Sequence, residues 1–137
     1  MPISRDPDTT VPPPGDEPPP LSTALQRGAV TVRDRAVVTA LVEEEVLLGR
    51  ADVRRALVVE DGADGPRCDW EGLASQLYVL ELSSSERVFL ALLLSMVGVH
   101  QMSLSRVHEL DEDRLMVVLR ALIQLSGNSR IAVGTRV

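Results

Sequence analysis

The chain contains no lysine; all fourteen of its Lys/Arg positions are arginine. That absence closes several chemistries at once. There is no amine for a Schiff base, no lysine for a phosphate loop and no lysine base. Other reactive side chains are scarce: one cysteine, one tryptophan, one tyrosine, one phenylalanine and two histidines. A single cysteine, Cys68, closes no internal disulfide, so an oxidising compartment is not implied. Long apolar runs are missing too. Val88–Leu94 extends to Val99 only across Ser95 and Gly98, short of the ~18–20 residues that span a bilayer. The opening Met1-Pro2-Ile3-Ser4-Arg5-Asp6 has no basic region followed by an apolar stretch and is not read as a signal peptide. A cytoplasmic protein without membrane attachment is expected. Arginine without lysine, with Val, Leu, Ala and Pro in plenty, reads as high-GC coding. No individual arginine gains functional meaning from it.

What is present divides unevenly. Eight of the nine prolines fall within the first twenty residues, six of them in the blocks Pro12–Pro14 and Pro18–Pro20 around Gly15-Asp16-Glu17. Proline fixes φ and lacks the N–H, so residues 1–22 are expected to be a disordered, acidic, polyproline-like tail. Such a tail is either a solubilising leader or a docking peptide for an aromatic groove. Residues 23–137 are long enough to bury a core without disulfides or metal. The net charge is −6, and about half of it sits in the tail. The rest is mildly acidic, which argues against a large nucleic-acid footprint.

The pattern beyond the tail predicts an all-α fold, a compact irregular bundle of five to six helices at about 31–48, 52–59, 69–82, 84–97, 103–110 and 111–126. Thr31 with Asp34 approximates a capping box. Val37, Val38, Leu41, Val42 and Leu48 then share one face, and Gly49 suits a left-handed stop. Glu60–Pro66 is a loop rich in Asp and Gly. Asp69 caps a helix with Trp70, Leu73, Leu77 and Leu80 in one stripe, widened by Val79 and Leu82. Ser83-Ser84-Ser85-Glu86 is the strongest start signal in the chain, a full capping box.

Two helices are apolar nearly all round. Arg87–Val97 carries Val88, Phe89, Leu90, Leu92, Leu93 and Leu94 and is expected to be the core helix, surrounded by Trp70, Leu73, Leu77, Leu119 and Leu122. Phe89 and Leu93 are its central side chains. The last helix leaves only Asp113, Arg120 and Gln124 as a polar strip. A domain this small holds one fully central helix, so the surplus face predicts a second chain, with a closed two-fold dimer the commonest case. Leu115, Met116, Leu119 and Ile123 are the candidate interface.

Four chemical readings compete with this one. Residues 84–126 have about the lengths of a helix-turn-helix, but Glu109 and the acids at 111–113 lie beside its basic groups. Counting Glu60 as position one places Asp64, Gly65 and Glu71 at calcium-loop positions, yet Gly62 offers no ligand. His100, His108, Glu109, Asp111 and Glu112 lack zinc spacing, and Leu110-Asp111 is expected to break the helix between His108 and Glu112. Cys68 lies beside Arg67 and just before a helix start, both of which would lower its pKa, but no histidine base is local. The expectation is therefore a non-enzymatic interaction or regulatory domain with no cofactor and no metal. Its partner is a second copy or a heterologous helical protein; a DNA-binding regulator is the alternative.

Overall fold

The computed structural model describes residues 20–60 and 65–136. Among them the chain forms six α-helices, one 3-10 helix and a single two-stranded hairpin. The helices are α1 (Leu21–Gly28), α2 (Val32–Glu44), α3 (Ala51–Leu57), α4 (Trp70–Gln76), α5 (Ser84–Met96) and α6 (Glu112–Ser126). The 3-10 helix, Leu104–Glu109, lies between α5 and α6, and strands β1 (Val58–Glu60) and β2 (Pro66–Cys68) lie between α3 and α4. The fold is the expected all-α bundle. Most of the proline-rich leader and residues 61–64 of the Asp/Gly loop lie outside the described residues.

Alpha-5 is the centre. Its capping box is complete: Ser83 Oγ accepts from the Glu86 N–H at 3.1 Å, and Glu86 Oε1 accepts from the Ser83 N–H at 2.8 Å. These bonds satisfy donors the first turn leaves open. Val88, Phe89, Leu90, Ala91, Leu92, Leu93, Leu94 and Met96 are all buried. Val37 and Leu41 of α2, Leu73 of α4, and Leu77 pack in the same cluster. Trp70 is half-buried at its edge, where Nε1 donates to Asp34 Oδ1 at 3.1 Å. That contact explains why Thr31 and Asp34 make only half a box. Thr31 accepts from the Asp34 N–H, while the Asp34 carboxylate serves the tryptophan.

Five expectations need correction. Alpha-1 occupies residues that the sequence pattern left in the tail or unassigned. Leu21 and Leu25, one turn apart on its inner face, pack with Ala29 against Val38, Cys68 and Trp70, so this short amphipathic helix is held by tertiary contacts. The helix expected over 31–48 stops at Glu44. Glu45 adopts φ 72°, ψ −39°, while Val46 N–H reaches back to the Glu44 carbonyl at 2.9 Å. This is a tight γ-turn, a strained geometry for a side-chain-bearing residue; Gly49 is not the stop. The helix expected over 52–59 ends at Leu57, because Val58 pairs with Cys68 and Val59 with Arg67 across the hairpin. The helix expected over 69–82 ends at Gln76, so Val79 lies in water rather than in the stripe, although Leu82 is buried. Leu119 and Leu122 are not core: they are 38% and 44% exposed.

Alpha-6 begins and ends where the sequence places it. Asp111 accepts from the Arg114 N–H at 2.8 Å, and Gly127 takes the left-handed φ of 79°. It packs on α2 and α5 from outside, burying only Val117, Val118 and Ala121.

Candidate functional site

Among the described residues an apolar groove lies beside α6. After α5, Gly98 turns the chain with φ 87°, which a residue with a Cβ adopts only at a cost. The 3-10 helix follows, capped by Ser103. It leans on α5 and leaves a channel between itself and α6. Leu92 and Met96 form part of the floor from α5, and Val118 part of it from α6. Met102, Leu104, Val107 and Leu110 form one wall; Leu115, Leu119, Leu122 and Leu125 form the other. The volume is about 970 Å³, at the upper end of the ~300–1,000 Å³ typical of ligand pockets. Leu104 is 72% exposed at its lip.

Alpha-6 supplies its wall through simple helical spacing. Positions 115, 118, 119, 122 and 125 fall on one stripe. The candidate interface residues are therefore divided. Leu115 and Leu119 line the groove; Met116 lines the neighbouring cleft against Glu43–Val46; Ile123 is half-buried and lines neither. Leu122, placed by the sequence in the core, is a groove residue.

The polar groups of the groove sit at its ends. Ser95 Oγ is spent on the Ala91 carbonyl at 2.9 Å. Arg33, from the first turn of α2, stands beside Gly98, with Nη1 3.4 Å from where a Cβ there would lie. Among the described residues Arg33 holds no hydrogen bond or ion pair. At the opposite end Ser85 Oγ and Asp111 are joined at 3.0 Å, which ties the start of α6 to the start of α5. The two helices thus run parallel, and Arg33 marks their C-terminal end.

A second set of charges holds α6 in place. Arg114 Nε and Nη2 donate to Glu44 Oε2 at 3.0 and 2.8 Å, and Nη1 donates to Asp111 Oδ2 at 2.6 Å. Glu86 lies 3.7 Å from Arg114 and 3.5 Å from Arg50. The Glu44 side chain is 3% exposed and that of Arg114 14%, so the pair is desolvated and bidentate at one oxygen. Burial pushes Asp111 up, but the Arg114 N–H, the Ser85 hydroxyl and the Arg114 charge outweigh it and hold the carboxyl below its ordinary range. This cluster clamps α2, α5 and α6 together at one end.

Among the described residues the remaining candidates are dispersed. Arg106 pairs bidentately with Glu109 at 2.7 and 2.9 Å, and Arg120 with Glu43 at 3.2 Å. His108 Nδ1 lies 2.9 Å from the Ser105 carbonyl, and the His100 ring is tilted 52° against Tyr78 with centroids 6.3 Å apart. Leu110 is extended, as expected, so His108 and Glu112 share no helix. Among the described residues no three His, Cys, Asp or Glu side chains gather as a metal site. Glu60 ends β1 and Glu71 is on the first turn of α4; Asp64, between them in the calcium-loop count, lies outside the described residues. Cys68 reverses its expectation. Burial, then the Asp34 charge, pushes its thiol up to about 12, so it is held as a neutral packing group.

No helix among the described residues is long and apolar enough to cross a membrane. No family model matches the chain, and neither the curated proteins nor the solved structures yield a match to it.

Proposed function

We propose that this protein is a non-enzymatic interaction domain, of adaptor or regulatory type, that self-associates through the outward stripe of α6 and the groove beside it. The observation that carries the reading is the exposure of Leu104, Leu119 and Leu122 around an otherwise apolar channel. Contiguous apolar surface of this kind marks a contact site rather than ordinary scatter. Recognition by an apolar helix laid in a groove uses anchors spaced by three or four residues along one face, and α6 presents Leu115, Leu119 and Leu122 at i, i+4 and i+7.

The DNA-binding alternative draws no support from this geometry. Its candidate reading elements are a six-residue 3-10 helix and α6. Arg106, Arg114 and Arg120 each already hold a carboxylate, and a phosphate would have to displace it. Titration of duplex at low and moderate salt tests the alternative, since phosphate contacts give a steep salt dependence.

The self-association reading is tested with Leu119→Asp and Leu122→Asp. Both side chains are partly in water in the single chain, so the charge is tolerated by the fold. The variants are expected to sediment as monomers with unchanged helical circular dichroism, while the parent sediments as a dimer. Parent and variants of the same mass would overturn the reading.

A further inference from the structure

We infer that two copies of the chain pair α6 against α6 in antiparallel orientation, about a two-fold axis near Leu119, with Arg33 of each copy meeting Glu112 of the other. The inference rests on the self-association reading and adds its geometry.

The argument is one of self-complementarity. Glu112 lies on the first turn of α6, three residues before Leu115 and seven before Leu119, and so on the face of the stripe. It is exposed and has no partner among the described residues. Arg33, equally unpartnered, stands at the far end beside Gly98. The outward face of α6 thus carries Glu112 at its start and apolar side chains along its length, and Arg33 lines the groove at the other end. A surface with that polarity is matched by its own copy turned end for end, and a two-fold contact must be self-complementary in this way. Antiparallel pairing also sets the positive end of one helix beside the negative end of the other.

An axis at Leu119 fixes the register. Leu119 meets its own copy, Leu115 meets Ile123, and Met116 meets Leu122. Glu112 then lies level with Ser126, where Arg33 closes the groove. A parallel pairing would instead put the two Glu112 side chains together and leave both arginines without a carboxylate.

Cysteine cross-linking of the full chain reads the register, because a disulfide requires Cα atoms within about 7 Å. Under mild oxidation Leu119→Cys is expected to cross-link to itself. Leu115→Cys is expected to cross-link only in mixtures with Ile123→Cys, since its own copies stand about 12 Å apart along the axis at 1.5 Å per residue. Self-cross-linking of Leu115→Cys would overturn the antiparallel pairing. The charge contact is tested separately. Arg33→Glu or Glu112→Arg alone is expected to weaken dimerisation roughly tenfold, an exposed pair lost twice by symmetry, and the double exchange to restore it. A dimer broken by Leu119→Asp but indifferent to both charge reversals would overturn the Arg33–Glu112 contact and leave self-association standing. A chain that stays monomeric throughout would overturn both and leave the groove open to an apolar carboxylate.

Discussion

Alpha-5 and α6 are nearly alike in composition and differ in fate. Both carry aliphatic side chains almost all round. In α5 eight apolar side chains, Phe89 among them, are buried; in α6 only Val117, Val118 and Ala121 are. The difference is place in the fold. Alpha-5 meets α2, α4, α6 and the 3-10 helix, whereas α6 leans on α2 and α5 from outside. Its far side faces water and a groove. An apolar perimeter therefore records how much surface a helix needs to hide, while topology decides which helix the chain itself can hide. What α6 keeps in excess is the basis of the interaction proposed for it.

The sharpest way to break that contrast is to truncate each helix in turn. Phe89→Ala in α5 is expected to cost roughly 3–5 kcal/mol, the largest effect of any single change here. Leu93→Ala should cost about 3 kcal/mol, whereas Leu122→Ala in α6 should cost under about 1 kcal/mol in the monomer. Chemical denaturation of dilute protein measures all three. Equal losses at Leu93 and Leu122 would erase the distinction between the helices.

Next comes the clamp that fixes α6. Arg114→Met strands the buried Glu44 carboxylate and is expected to cost about 3 kcal/mol. Adding Glu44→Gln should recover part of it, and a double-mutant cycle in the same assay measures the coupling. Ser83→Ala removes one half of the α5 capping box and should cost about 1 kcal/mol, read as a lower melting temperature. The smallest effect is the acid limb. Asp111 has a folded pKa below its unfolded one, so its contribution is present above the unfolded value and is lost as pH falls through the folded one. Asp111→Asn should flatten the decline of stability on acidification. An unchanged decline would mean that the contacts of Asp111 favour neither protonation state.

Much of the fold was legible where local chemistry and packing agree. Ser83–Glu86, Asp69, Asp111 and Gly127 each signal a boundary through a bond made within a few residues, and each is found there. Boundaries set by distant partners were not legible. Alpha-1 depends on Val38, Cys68 and Trp70, far along the chain. The break at Glu45 accompanies the Glu44–Arg114 bond, seventy residues apart in sequence. The hairpin after α3 needs Val58 and Cys68 to meet across a loop. For the candidate site, the stripe at 115 and 119 followed from helical spacing alone. Leu122 was misplaced because periodicity gives a face without saying which neighbour lies against it. Arg33 was not foreseen, since nothing near it in sequence indicates that α2 starts beside the end of α5. Cys68 was misjudged because Arg67 is its neighbour in sequence, while burial and Asp34 govern it in space.

The most direct test of the account is the solution mass of the whole chain by size-exclusion chromatography with light scattering over a wide concentration range. The account predicts twice the chain mass at the upper concentrations, falling toward the chain mass on dilution as the α6 faces separate. A single, constant chain mass across the range would contradict it.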